Sequence, residues 1–209
     1  MEIVSCRVGP LGVNCYLVSG NGREAAVIDP GGDASRIRRI ADARGWTIRA
    51  VLLTHGHFDH TGAAEKLHKP GVRLFIGRGD AYYLNDPVAS VADLLGLPFV
   101  PANADELLDD GQVLSLCGLD LIVLATPGHT PGGVCFLCEN TLFSGDTLFC
   151  GSVGRTDFPE GNGGMLIDSI RQKLLPLPDD TRVLPGHGDT TTIGEEKRNN
   201  PFLQGEPLC

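Results

Sequence analysis

The chain of 209 residues carries 26 acidic against 17 basic side chains, a net charge of -9. That balance argues against a broad nucleic-acid surface, which needs clustered lysine and arginine to neutralise phosphates. A composition 42% hydrophobic and 21% charged suits a globular chain with a sizeable core, and no stretch is apolar for long enough to span a bilayer. Glu2 stands early and no long apolar run follows it, so no signal peptide is read and a cytoplasmic protein without membrane or nucleic-acid partners is expected.

In chain order, residues 2–8, 13–18 and 24–28 read as a meander of short strands, punctuated by Gly9-Pro10-Leu11-Gly12 and closed by Asp29-Pro30-Gly31-Gly32. Asn14 is expected to tie a turn, the alternative being a side chain that faces a cleft. Asp29 is either part of an Asp-Pro turn or a hydrogen-bonding support for the loop that follows. Ile37, Ile40 and Ala41 share one face and predict a helix from Asp33 to Arg44, stopped by Gly45. A strand from Ile48 to Leu53 delivers His55-Gly56-His57-Phe58-Asp59-His60, and a helix is expected over Gly62 to His68. Val72 to Ile76 reads as a strand and Gly79 to Leu84 as the start of a helical segment. Residues 85–110 are mixed, their apolar side chains read as surface packing, with a roof over a substrate cleft as the alternative.

Two strands then surround Cys117-Gly118, the second ending at Thr126 before Pro127-Gly128-His129-Thr130-Pro131-Gly132. A strand from Gly133 to Cys138 is followed by Thr141 to Ser144, which leads into Gly145-Asp146. Leu166, Ile167, Ile170 and Leu174 predict a helix over 163–175, and a last strand, Thr181 to Leu184, runs into Pro185-Gly186-His187-Gly188. The seven cysteines are an odd number in a large chain, unlike a disulfide-stapled module. Cys135 and Cys138 have half-knuckle spacing but fall in a strand, where residues three apart point to opposite faces.

Four apolar strands thus end in a glycine-accompanied histidine or aspartate. Three of the six histidines lie between His55 and His60, and together with Asp59 they offer the nitrogen and oxygen ligands that suit zinc, iron or manganese. His68 is set aside because nothing beside it offers a second ligand. Adding His129, Asp146 and His187 gives seven candidates, too many for one tetrahedral zinc but enough for two cations that share a carboxylate.

These spacings resemble the metallo-beta-lactamase superfamily, with its H-x-H-x-D-H loop followed by separate His, Asp and His positions. The resemblance covers nearly the whole chain and implies an α/β fold, a four-layer alpha-beta/beta-alpha sandwich, as a single domain over 1–209. It implies two divalent metal ions, zinc by first expectation with iron or manganese as alternatives. His55, His57 and His129 would hold the first, Asp59, His60 and His187 the second, and Asp146 would bridge them together with a hydroxide. Asp59 is also the candidate catalytic carboxylate, able to orient a water or handle its proton.

Within the superfamily, Ser144-Gly145-Asp146, Gly154-Arg155-Thr156-Asp157-Phe158-Pro159 and Asn200-Pro201-Phe202-Leu203 are similar to the short glyoxalase II-like group. That likeness implies hydrolysis of a small-molecule thioester such as S-D-lactoylglutathione, with Arg155 and Asp157 as candidate substrate contacts. An internal Arg155–Asp157 pair is the plain alternative. Full-length glyoxalase II carries a C-terminal helical domain that is not expected here. A mononuclear-iron persulfide dioxygenase on His55, His129 and Asp146, a lactonase or phosphodiesterase on both metals, and a noncatalytic metal-binding module are the rival readings. A monomer or small homo-oligomer is expected.

Overall fold

The structure, a computed structural model, describes residues 1–204; Cys209 and the end of the expected 1–209 domain lie outside the described residues. The first half builds one six-stranded sheet. Its strands are β1 (Glu2–Val8), β2 (Val13–Ser19), β3 (Glu24–Ile28), β4 (Thr47–Leu53), β5 (Arg73–Gly77) and β6 (Glu106–Leu108), paired in sequence order. The first three are antiparallel and the last four are parallel. Helix α1 (Ala34–Ala43) makes the first crossover, and α2 (Phe58–Thr61) and α3 (Ala64–Leu67) belong to the second.

The second sheet contains β7 (Val113–Leu116), β8 (Leu119–Ala125), β9 (Val134–Cys138) and β10 (Thr141–Gly145). After a small hairpin of β11 (Leu148–Phe149) and β12 (Ser152–Val153) and helix α4 (Gly163–Ser169), it is completed by β13 (Arg182–Pro185) and β14 (Thr191–Thr192). The spatial order is β14-β13-β10-β9-β8-β7. Helix α5 (Ile193–Asn199) closes the described chain.

Which side chains point where fixes the layers. Along β4, Val51 and Leu53 join Ile37, Ala41 and Leu67 in a core beneath the helices, whereas Ala50 and Leu52 meet Leu121, Val123, Phe136 and Phe143 between the sheets. A strand buried on both faces reads as an unbroken apolar run, as this one does. On the other side Cys135, Leu142, Leu166, Ile170, Val183 and Ile193 form a third core under α4 and α5. The result is the expected helix–sheet–sheet–helix sandwich. Cys135 and Cys138 take opposite faces of β9, the former in the outer core and the latter between the sheets.

Strand direction explains where function collects. β8 is antiparallel to β9, β9 to β10, and β10 is parallel to β13. The C-terminal ends of β8, β10 and β13 therefore emerge at one edge, carrying His129, Asp146 and His187.

The helix expected over Gly62 to His68 is found as the shorter α3, and a separate short helix, α2, precedes it and contains Asp59 and His60. Ala63 breaks the run because its N–H donates to Pro30 O at 2.8 Å and not within a helix. The segment Arg78–Asn85 is a tighter 3-10 helix, and α4 continues as wider π turns over Ile170–Leu174. Strands β6, β11, β12 and β14 and helix α5 are additions to the sequence reading; all four strands have two or three residues, too few for a period to register. Among the described residues, no helix is long and apolar enough to cross a membrane.

Candidate metal centre

The seven side chains meet at the edge just described. Three groups have one potential ligand atom per residue, all within 4.8 Å of one another: His55, His57 and His129; Asp59, His60 and His187; and, between them, His55, His60 and Asp146. Asp146 reaches both sides, with Oδ1 3.3 Å from His60 Nε2 and Oδ2 3.8 Å from His129 Nε2 and 3.7 Å from His187 Nε2. His187 Nε2 lies 3.1 Å from Asp59 Oδ2.

The outer ring nitrogens are held by the protein. His60 Nδ1 donates to Asp29 Oδ2 at 2.9 Å, and His129 Nδ1 donates to the Arg155 carbonyl at 2.6 Å. The Thr54 hydroxyl donates to Asp29 Oδ2 at 2.7 Å, which leaves its oxygen to accept from His55 Nδ1 at 3.1 Å. Each bond assigns the proton to Nδ1 and aims a lone pair on Nε2 into the cluster. There His55 Nε2, His60 Nε2, His129 Nε2 and Asp146 Oδ1 are buried without a hydrogen-bond partner. One such group costs about 1–3 kcal/mol, and four converging on one point are the signature of a cation site. The residues fit two divalent metals.

Electrostatics agree with that fit. Burial, reinforced by the neighbouring imidazoles, drives His55 well below its ordinary range, and burial with His129 lowers His57 to about 3. Both are therefore neutral and their lone pairs free. Burial alone would raise the Asp146 and Asp59 carboxyls, but the surrounding histidines, His60 foremost, win and hold both down. For His60 the burial penalty is overturned by Asp146, Asp59 and Asp29, which raise it. Without a metal His60 therefore carries a second proton, on Nε2, and a divalent cation held there would take its place.

Support comes from residues that sequence reasoning weighed differently or passed over. Asn14 is a strand residue whose amide donates to Pro185 O at 3.1 Å and Gly188 O at 3.0 Å, and the Tyr16 hydroxyl donates to Pro185 O at 2.7 Å. They fix the His187 loop, so Asn14 ties backbone groups across the fold and not within a turn of its own hairpin. Asp29 takes the support role: besides His60 and Thr54 Oγ1, it accepts the Thr54 N–H at 2.8 Å. Asp80, fully buried, accepts the Gly56 N–H at 2.9 Å and the Gly132 N–H at 2.5 Å, tying the His55–His60 loop to the His129 loop. Nothing in its local sequence marks it. Gly186 is needed because a Cβ there would sit 2.3 Å from Asp146 Oδ1 and 2.6 Å from His60 Cε1.

A cleft of about 530 Å³ opens over the cluster, and Arg155 is in its wall. Asp157 is not; it lines a neighbouring groove and holds Arg155 through Nε–Oδ1 and Nη2–Oδ2 contacts of 2.7 Å each. The internal pair therefore exists, with the guanidinium 3.8 Å above the Phe158 ring. Phe158 in turn lies 5.7 Å from the His57 ring. His68 stays outside, paired with Asp105 at 2.8 Å, and Cys150 is exposed on the hairpin without lining the cleft. A larger groove of about 870 Å³ opens behind the His187 loop among Arg7, Arg36 and Arg182, and holds none of the seven side chains.

Comparison with known proteins places this geometry. The chain is 43% identical to the hydroxyacylglutathione hydrolase GloC of Haemophilus influenzae, over 92% of this chain and 93% of that protein. Its fold superposes on BLEG-1, described as a B3 metallo-beta-lactamase, with a TM-score of 0.92 and 39% identity, covering 98% of this chain and all of the other. The di-iron-bound form of TTHA1623 gives 0.84 and 37%, over 97% of this chain and 100% of that one. The metallo-beta-lactamase superfamily model matches residues 8–187, a span that contains every side chain of the cluster, and the chain belongs to that superfamily.

Proposed function

We propose that the protein is a metal-dependent hydrolase of small acyl thioesters, S-D-lactoylglutathione or a related acyl-thiol. The observation that carries this reading is the cluster of seven histidine and aspartate side chains, four of their buried atoms unpartnered, at the floor of an open cleft. The likeness to GloC supports a thioester over other carbonyl compounds. His55, His57 and His129 would hold one cation, Asp59, His60 and His187 the other, and Asp146 would be shared. Zinc is our first assignment, and the di-iron relative keeps iron in view. Divalent cations bound there supply Lewis-acid polarisation of a carbonyl oxygen and a nucleophile from water at neutral pH.

The chain's own residues supply position and proton handling. Asp59, held ionised by His60 and His187 and facing the cleft, accepts a proton from the attacking water. Asp29, Thr54 and the Arg155 carbonyl keep the imidazoles oriented, so little reorganisation accompanies the reaction. Arg155 offers a planar donor fork to the polar half of the substrate. Overall, water adds to the acyl carbon, the C–S bond breaks, the thiol leaves with one proton, and the acid departs as carboxylate and a second proton.

The test is elemental analysis of protein produced in defined metals, with rates measured on the same samples. The substrates would be lactoylglutathione, a homoserine lactone, bis-p-nitrophenyl phosphate and a beta-lactam. Two metals per chain and fastest turnover of the thioester are expected. A faster lactone, phosphodiester or beta-lactam reaction would overturn the reading, and so would a single tightly bound iron with oxygen consumption on glutathione persulfide.

A further inference from the structure

The cleft over the cluster has a marked asymmetry. Leu11, Val91, Leu94, Leu95, Phe149 and Phe158 all face it. Leu94 and Leu95 are 66% and 48% exposed, and Leu11 is 50% exposed. Apolar side chains gathered at such exposure around a catalytic opening mark a surface that a ligand covers. The charged lining is sparse: Asp59 and Asp146 belong to the cluster, as do the histidines, and Arg155 is the one arginine or lysine among the described lining residues.

The two kinds of wall are anchored separately. Arg155 is tied to the His129 side by its carbonyl and stacks on Phe158. The leucines belong to the segment that Phe58 anchors, its N–H donating to Ser90 O at 3.0 Å, next to Asp59. In that segment Val91 is buried at φ 68°, a left-handed conformation costly for a β-branched residue. Such strain persists only where the surroundings impose it. A bonded turn follows at once, Leu95 and Leu97 N–H donating to Ala92 O at 3.3 Å and 3.0 Å, with Leu94 and Leu95 lining the cleft.

A lactoyl group, three carbons bearing a hydroxyl, leaves most of this wall in water. We propose that the cleft selects thioesters with an extended apolar acyl group, laid against Leu94 and Leu95, while the polar thiol half meets Arg155. This rests on the thioester reading and names the acyl class within it. Each methylene fully buried strengthens binding about three- to fourfold, so a chain of six carbons half covered by the leucines gains on the order of tenfold over a one-carbon group.

The experiment uses the metal-loaded protein in two arms. In the first, S-hexylglutathione and S-methylglutathione, thioethers that are not cleaved, are titrated by calorimetry; the hexyl compound is expected to bind at least about tenfold more tightly. Equal binding overturns the proposal whatever the protein hydrolyses. In the second, kcat/KM is compared for lactoyl-, butyryl- and hexanoylglutathione with the parent and with a Leu94→Ser/Leu95→Ser variant. A rise of about tenfold or more from lactoyl to hexanoyl, erased in the variant, supports the proposal. A flat or falling series overturns it and leaves the thioester reading standing, whereas tight hexyl binding with no thioester cleaved overturns that reading and keeps the apolar wall as a ligand site.

Discussion

Asp29 and His60 are joined by a 2.9 Å hydrogen bond between Oδ2 and Nδ1, and their side chains are only 2% and 0% exposed. With the proton fixed on Nδ1, only Nε2 is left to face the cluster. Asp29 is itself held at φ 50° by the turn that ends β3. We predict that Asp29→Ala weakens cation affinity about 10- to 100-fold, the usual effect of removing the partner of a ligating histidine. Competition with a chromogenic chelator, beside a far-UV spectrum to confirm the fold, measures it; unchanged affinity in a folded variant removes Asp29 from this role.

Asn14 acts on one half of the centre. Its amide grips Pro185 and Gly188 on either side of His187, and His187 belongs to the group with Asp59 and His60, not to the group with His55, His57 and His129. Asn14→Ala is predicted to lower stability by about 1–3 kcal/mol, because the Gly188 carbonyl loses this donor while Pro185 O keeps only the Tyr16 hydroxyl. Under mild chelation it should drop metal content from two per chain toward one. Metal counting on the dialysed variant decides this, and simultaneous loss of both ions would show that the His187 loop supports the entire centre.

Asp80 gives a pH-dependent prediction. Burial raises its carboxyl above 3.8, against the pull of the Gly56 and Gly132 N–H groups. The native state therefore binds this proton more tightly than the unfolded chain does. Its favourable contribution is complete below pH 3.8 and is lost as pH climbs through the raised native value. Asn at this position cannot titrate, and its amide can accept one backbone N–H but must turn its own N–H groups toward the other. Asp80→Asn should cost about 1–3 kcal/mol, and the parent's advantage over the variant should shrink as pH rises from 3.5 to 6. Denaturant unfolding of the two proteins at matched pH reads this difference; an advantage that grows over that range contradicts the burial argument.

The gathering of the seven side chains was legible because their loops follow the same local rule, an apolar strand stopped by glycine beside a histidine or aspartate. Arg155–Asp157 was legible as a pair because only Thr156 separates its members. Asn14 was not, since its partners lie 171 and 174 positions along the chain and a short polar residue near a glycine-rich turn satisfies turn chemistry equally well. Asp80 accepts N–H groups from two loops that only the fold brings together. The break between α2 and α3 has the same origin: Ala63 bonds to Pro30 in the loop after the neighbouring strand β3, and a helical pattern carries no trace of that competition.

Arg155 joins two roles that one substitution separates. Its main-chain oxygen holds His129, while its side chain, 57% exposed, is engaged by Asp157 and Phe158. Truncation at Cβ therefore removes the fork without removing the support for His129. If the fork meets the polar half of a glutathione thioester equally in ground and transition states, Arg155→Ala raises KM about tenfold and leaves kcat within about threefold. Arg155→Lys should recover only part of that loss, because a point charge replaces a planar pair of donors. Asp157→Ala should move KM the other way, since the guanidinium no longer leaves a carboxylate partner to meet the substrate. Steady-state kinetics on lactoylglutathione separates the outcomes: a KM unmoved in all three variants would reduce the pair to a brace for the glycine-rich loop.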